Sequence, residues 1–233
     1  YMQSVGSMDP RIFVGKQVYV GNDSIPGVIG TKAMQLLSKE EKKRGSRKNE
    51  IYVDIGALDK EDALKYINIG DQINFQGEQE EFGDGCFMAK AIDDRLLCAI
   101  LIKLIHEPLP YDTWFCFTTC EEIGLRGAAS LTERICPKYS MIFEGTTAAD
   151  FPGVEPYLCS TRQRHGAAVS IVDNGTFYNR ELMERMTAAA DSNGIRWQYR
   201  TSIAGRTDSG AISTRNGGTK TICISVPTRY NHS

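Results

Sequence analysis

The chain has 233 residues, of which 41% are hydrophobic and 24% are charged, and its formal net charge is -2. This composition is ordinary for a globular protein and excludes disordered and fibrous classes. Nucleic acid is excluded as the main partner, because neutralising phosphates needs clustered Lys and Arg. The longest apolar stretch, residues 96–105, contains Lys103 and is far too short to cross a bilayer, so we expect no membrane partner.

The first ninety residues predict a β-rich domain. Runs of β-branched and aromatic residues alternate with Gly, Asn, Asp and Pro, which is typical of short strands and turns. The predicted strands cover residues 17–20, 27–30, 51–55 and 72–75. We expect an exposed loop at residues 34–49 and a short helix capped by Asp59. The interpretation is a small β-barrel-like inserted domain over residues 6–83.

After residue 90 the pattern changes to alternating helices and strands. Helices are predicted at residues 94–106, 131–136, 180–192 and 208–214. Strands are predicted at residues 111–119, 140–143, 167–172, 196–203 and 220–226. This alternation predicts an α/β fold with helices on both faces of a sheet. We assign residues 84–233 to this second domain.

Four polar clusters follow predicted strands or open a predicted helix. They are Asp93-Asp94, Glu121-Glu122, Glu144 and His232. Reactive groups of α/β proteins collect at the edge of the sheet where strands end. Carboxylates with an imidazole suit zinc, cobalt or manganese in a hydrolytic site. Each cluster alone also has a structural interpretation, since an acid pair can cap a helix and a lone histidine is usually structural.

The glutamate pair has the most specific pattern. Adjacent side chains point in different directions, so one carboxylate can bind a metal while its neighbour faces a water on that metal. The alternative is a solvated pair of loop acids. Gly124 and Gly127 follow directly and favour a tight, shaped loop. The pattern therefore indicates a metal ligand beside a general base.

Five ordered motifs between residues 91 and 233 resemble those of the glutamyl and tetrahedral (TET) aminopeptidases, a family of co-catalytic dimetal exopeptidases. They read AIDDR, CEEIGLRGA, FEGTTAADFPG, GRTDSGAI and PTRYNHS. Residues 8–16 and 26–32 resemble the inserted β-domain of the same family, so the resemblance covers nearly the whole chain. It implies a zinc-exopeptidase-like mixed sheet flanked by helices.

The resemblance also implies roles for individual residues. Glu121 is similar to the general base, and Asp93 to the carboxylate that bridges two divalent metals, zinc or cobalt, with manganese as a further candidate. One metal would be bound by Glu122 with His232, and the other by Glu144. Substrate-binding or site-shaping positions fall on Asp94, Asp150, Asp208 and Arg229. The implied partners are short peptides and further copies of the chain in a large cytoplasmic homo-oligomer.

One family feature has no counterpart in this chain. The family has a further histidine ligand, in an Ala-His-Met-Asp-Glu-like motif that precedes the β-domain. The chain begins at Tyr1 without an initiator Met and stops at Ser233, which indicates that both ends are cut. We therefore expect the metal of Glu144 to be weak or absent in this chain, and the chain alone to be inactive.

Two other functions stay open at this point. One is a non-catalytic or metal-deficient subunit that binds peptides or only assembles, which the missing histidine would favour. The other is an endoglucanase-like glycan hydrolase, which the adjacency of Glu121 and Glu122 disfavours, because neighbouring side chains rarely face each other across a scissile bond.

Overall fold

The computed structural model describes residues 1–232 and divides into two compact units. The first unit contains residues 1–90 together with His232, and the second contains residues 91–231. The boundary thus falls after Lys90, whereas the sequence pattern places it after residue 83. Over the described range, every helix is too short or too polar to span a membrane.

The first unit is built on a four-stranded antiparallel sheet. Its strands are β1 (Gln17–Val20), β2 (Ile25–Thr31), β3 (Ile51–Asp54) and β4 (Ile73–Phe75), in the order β3-β2-β1-β4. Val18 and Val20 are buried while Gln17 and Tyr19 are exposed, as the alternation of side chains along a strand requires. All four predicted strands are confirmed. Within residues 1–232, β3 and β4 form the two edges of this sheet and are not paired with each other. Closure of the sheet into a barrel therefore stays a prediction.

The first unit also contains smaller elements. Among them are α1 (Lys39–Lys43), α2 (Lys60–Ala63), β5 (Glu80–Phe82) and β6 (Cys86–Met88). The Asp59 side chain accepts a hydrogen bond from the Asp62 amide at 2.9 Å, which confirms the predicted cap. The predicted loop at 34–49 instead contains α1, because Ser38 and Glu41 form a capping box.

The second unit contains a mixed four-stranded sheet. Its strands are β7 (Tyr139–Thr147), β8 (Ala167–Ser170), β9 (Trp197–Arg200) and β10 (Lys220–Thr228), in the order β7-β10-β8-β9. Strand β10 runs parallel to β7 and antiparallel to β8, and β8 runs parallel to β9. The mixed sheet expected from the sequence is therefore confirmed.

Helices cover both faces of this sheet. They are α3 (Ile92–Ile105), α4 (Arg126–Leu131), α5 (Arg180–Ser192) and α6 (Ser209–Ile212). Ile222 and Cys223 are neighbours on β10, so their side chains point to opposite faces. Ile222 packs with Met183 of α5. Cys223 packs with Ala128 of α4 and Ala211 of α6, which places these two helices on the other face.

Two elements of the second unit differ from the sequence-based expectation. Residues 111–119 were predicted as a strand but pair with no strand within residues 1–232. A strand exists only through a hydrogen-bonded neighbour, and an apolar run cannot reveal whether one is present. The helix predicted at 131–136 lies earlier, at 126–131, because boundaries of short helices are poorly marked by apolar spacing alone.

Candidate active site

The two predicted glutamates lie in a tight segment, residues 119–127, which we call the Glu121 loop. The Gly127 amide donates to the Thr119 carbonyl at 2.9 Å, and the Leu125 amide donates to the Glu121 carbonyl at 2.9 Å. A Cβ atom on Gly127 would lie 2.3 Å from the Thr119 carbonyl oxygen, so only glycine permits this closure. The tight loop predicted from the glycines is confirmed.

Asp93 is the carboxylate at which the acidic side chains converge. One oxygen each of Asp93, Asp94 and Glu144 lie within 4.8 Å of one another. Oxygens of Asp93 and Glu122 also lie within 4.8 Å of each other. Asp93 therefore belongs to two adjoining groups, one with Glu122 and one with Asp94 and Glu144. Asp93 and Asp94 come from the start of α3, and Glu144 lies within β7.

Backbone and amide groups fix these carboxylates in place. The Gly145 amide donates to Asp94 Oδ1 at 2.9 Å and to Glu144 Oε1 at 3.1 Å. The Asn231 side-chain nitrogen donates to Asp93 Oδ2 at 3.1 Å. The sequence analysis did not single out Gly145 or Asn231. The sequence feature that could have indicated them is their position next to Glu144 and His232 in two of the resembling motifs.

Gly145→Ala should weaken metal binding without unfolding the protein. A Cβ atom at this position would lie 2.7 Å from Asp93 Oδ1 and 2.8 Å from its Cγ, so Asp93 must move. We expect zinc affinity, measured by calorimetric titration, to fall about 10- to 100-fold, as for other lost support of a metal ligand. The control is Gly45→Ala, whose added Cβ meets only the flexible Arg11 side chain. Equal affinities for the two variants would contradict this role of Gly145.

Burial raises the pKa values of three carboxyl groups near Asp93, those of Asp94, Glu121 and Glu144, above their ordinary range. Burial, reinforced by Asp94, raises the pKa of Glu144 far above its usual range. Burial also raises the pKa of Asp94. Burial and the charges of Glu122 and Asp208 raise the pKa of Glu121 to about 7. A bound cation would stabilise the ionised carboxylates, so this all-oxygen donor set fits a divalent metal.

The metal-free protein should therefore lose stability as the pH rises from about 5 to about 8. The pKa of Glu121 rises from 4.5 to about 7 in the fold, so folding favours the protonated carboxyl. This contribution is fully present below 4.5 and is lost as the pH rises through about 7. For this half-buried side chain, solvent screening reduces the loss to about 1–2 kcal/mol.

Urea unfolding in the presence of a chelator, repeated across this pH range, measures the effect. Glu121→Gln should flatten the fall in unfolding free energy, whereas Glu133→Gln, at an exposed site in the same unit, should not. A fall that Glu121→Gln leaves unchanged would contradict the assignment to this carboxyl.

Two further predicted residues form an ion pair. Arg229 Nε donates to Asp150 Oδ1 at 2.9 Å, and the Gln163 amide donates to Asp150 Oδ2 at 2.9 Å. Asp150 thus links the residues after β10 to the segment before β8.

The remaining predicted residues are Asp208 and His232. Asp208 Oδ2 accepts a hydrogen bond from Thr118 Oγ1, and burial raises the pKa of Asp208. His232 belongs to the first unit, where its Nδ1 lies 2.6 Å from the Ser7 carbonyl oxygen. Its own carbonyl accepts from the Asp9 amide at 3.0 Å.

A mixed α/β sheet beside clustered carboxylates that suit a divalent cation is an arrangement known from metal-dependent hydrolases. The chain belongs to the M42 glutamyl aminopeptidase family, and the match covers residues 1–233. Both the family and the mixed α/β fold expected from the sequence are thereby confirmed.

Individual relatives agree with this membership. A putative aminopeptidase of Acetivibrio thermocellus is 33% identical over 232 residues, which are 99% of this chain and 68% of that protein. The crystal structure of a TET aminopeptidase from Thaumarchaeota archaeon SCGC AB-539-E09 superposes with a TM-score of 0.92 at 27% identity, covering 99% of this chain and 67% of the other.

The TET1 peptidase of Pyrococcus horikoshii, which can assemble into a tetrahedron or a large octahedral shell, gives a TM-score of 0.84 at 29% identity, covering 99% of this chain and 69% of the other. The chain spans 60 to 68% of the length of three bacterial relatives that it matches along most of its own length.

Proposed function

We propose that the full-length protein is a metal-dependent aminopeptidase that removes N-terminal residues from short peptides. The main support for this proposal is that Asp93 belongs to both acidic groups. Its carboxylate lies within 4.8 Å of Glu122 in one group and of Asp94 and Glu144 in the other. Two adjoining oxygen sites with one common carboxylate suit a pair of divalent metals. The seven free cysteines are consistent with action in the reducing cytoplasm.

The metal ligands in this proposal are Asp93 as the bridge, Glu122 for one ion and Glu144 for the other. Zinc or cobalt fits best, and manganese is a further candidate, since these metals accept carboxylate with imidazole. The motif resemblance assigns the imidazole to His232. Bound metals would supply Lewis acidity and lower the pKa of a water molecule.

Glu121 acts as the general base in this proposal. Its pKa of about 7 is close to the value at which a carboxylate both accepts and returns a proton efficiently near neutral pH. It takes a proton from the attacking water and returns it to the amine that leaves. The amino group of a peptide N-terminus would be held by a metal and by nearby carboxylates, while Asp94, Asp150, Asp208 and Arg229 shape or line the site.

The alternative functions find less support. A retaining or inverting glycosidase needs two carboxyl groups that face each other at about 5 to 9.5 Å across the scissile bond, and the consecutive Glu121 and Glu122 are poorly suited to this. A metal-deficient subunit is the stronger rival for residues 1–233 alone. The motif-based ligand set gives the metal of Glu144 no imidazole, so we propose that this chain by itself holds that metal weakly and turns over little substrate.

Self-assembly is the second part of the proposal. The outward face of the sheet in the first unit carries the half-exposed side chains of Tyr19, Val28 and Tyr52. Apolar groups presented together on one sheet face are typical of an interface between protein chains. We propose that this face contributes to a homo-oligomer, which sedimentation of the full-length protein would show and a monomer would contradict.

Metal-dependent hydrolysis of an aminoacyl arylamide tests the catalytic proposal. The full-length protein is stripped with a chelator and then titrated with zinc, cobalt or manganese. Release of the arylamine should require metal and should cease when the substrate is N-acetylated. Equal hydrolysis of the free and acetylated substrates, or full activity after stripping, would overturn the proposal.

A further inference from the structure

A buried polar network lies beside the Glu121 loop in the second unit. We call it the Tyr178 network, and its members are Asp173, Thr176, Tyr178, Thr207 and Ser209. The Tyr178 hydroxyl donates to Asp173 Oδ2 at 2.5 Å and lies 2.9 Å from Ser209 Oγ. Tyr178 and Asp173 are each 7% exposed, and Ser209 is fully buried. Burying several polar groups is costly unless all of them are paired, as they are here.

The network joins two segments of chain. Asp173 Oδ1 accepts from the amides of Gly175 and Thr176 at 2.7 and 2.8 Å, which fixes a tight turn. Thr176 Oγ1 then lies 2.9 Å from Ser209 Oγ, at the start of α6. The turn therefore holds the first residue of α6 from one side.

Asp208 precedes that first residue and connects it to the Glu121 loop. Its Oδ2 accepts from Thr118 Oγ1, one residue before the loop begins. Its Oδ1 is buried and has no hydrogen-bond partner within residues 1–232. A Cβ atom on Gly210 would lie 3.3 Å from the Leu125 side chain, so α6 also packs directly against the loop.

We propose that the Tyr178 network positions the Glu121 loop by fixing Asp208, and that Tyr178 is a positioning residue for peptide hydrolysis. The role of Tyr178 in hydrolysis rests on the proposed peptidase function, whereas the positioning of the Glu121 loop does not. The Tyr178 hydroxyl bonds with Asp173, Thr207 and Ser209, and none of these three is a proposed metal ligand. The hydroxyl acts through Ser209 and the adjacent Asp208, which holds Thr118 in turn.

Hydrogen exchange of the metal-free protein tests the positioning directly. Tyr178→Phe keeps the ring and removes the hydroxyl that bonds Asp173 and Ser209. We expect the amides of Gly124, Leu125 and Gly127 to exchange about 3- to 10-fold faster, while those of strand β10 change less than twofold. The matched control is Tyr199→Phe, because Tyr199 is 45% exposed and lies outside the network. This control should leave both sets of amides unchanged.

Kinetics of the full-length protein provide the second readout. Tyr178→Phe should lower kcat about 3- to 10-fold with little change in KM, because the altered group does not touch substrate. Thr118→Val, which leaves the Tyr178 network intact but removes the bond to Asp208, should reproduce both effects. If Tyr178→Phe fails to fold, Ser209→Ala, which removes the hydroxyl that bonds Tyr178 and Thr176, tests the network in its place.

The outcomes separate the two proposals. Equal acceleration of exchange in the loop and in β10, or no acceleration in either, would overturn the positioning role. Loop-specific acceleration with an unchanged kcat would show that the network holds the loop but has no role in hydrolysis. This result would overturn the proposed role of Tyr178 as a positioning residue for hydrolysis. A wild-type protein without peptidase activity would overturn the proposed function. The exchange comparison would still decide whether the network positions the Glu121 loop.

Discussion

Glu121→Gln should lower kcat for peptide hydrolysis by about 10² to 10⁴ while the protein keeps its bound metal. The amide has nearly the shape of the carboxyl, so the hydrogen bonds of the Glu121 backbone to Gly124 and Leu125 should persist. It cannot accept a proton from water, however, and this is the step assigned to Glu121. Steady-state kinetics and elemental analysis on the same preparation provide both readouts.

The matched control is Glu133→Gln, which removes an exposed carboxylate of the same unit. It should leave both kcat and metal content at the wild-type level. A Glu121→Gln protein with a near-normal kcat would show that another group serves as the base.

Asp93→Ala should lower metal affinity more than any other single change in the acidic groups. Asp93 lies within 4.8 Å of Glu122 in one acidic group and of Glu144 in the other, so its loss removes a donor from each proposed metal. Loss of a group that merely supports a ligand costs about 10- to 100-fold in affinity, and loss of the shared ligand should exceed that range. Activity should fall with metal occupancy.

Metal content after dialysis against a fixed free zinc concentration measures this effect. Asp112→Ala, at an exposed acid of the same unit, serves as the control. Unchanged zinc stoichiometry in Asp93→Ala, with normal stoichiometry in the control, would show that the acidic groups are not the metal site.

The parts of the fold that sequence could predict are those with local signals. Helix α5 has the predicted bounds, 180–192, and its first turn is capped locally, since the Asn179 side chain accepts a hydrogen bond from the Leu182 amide. Strand β10 was predicted at residues 220–226, where β-branched residues favour a strand, and it extends to Thr228 in the structure. Strand β7 extends to Thr147, beyond the predicted end at residue 143, because pairing with β10 continues past the apolar run.

Other features depend on contacts between distant segments and could not be predicted. The neighbours of Asp93 include Asn231, which is 138 positions away in sequence, and the partner of Thr118 is Asp208, 90 positions away. The pKa of Glu121 likewise depends on burial and on charges brought from three segments. Residue types suggested which groups carry chemistry, whereas the fold decides which of them meet.

Mass spectrometry of peptide products tests the central claim most directly. The metal-loaded full-length protein is incubated with a short unblocked peptide and with its N-acetylated counterpart. We predict a time-ordered ladder of products, each shorter by one N-terminal residue, from the unblocked peptide alone, and no ladder from the Glu121→Gln variant. Internal cleavage, equal cleavage of the acetylated peptide, or no cleavage with metal bound would contradict an aminopeptidase.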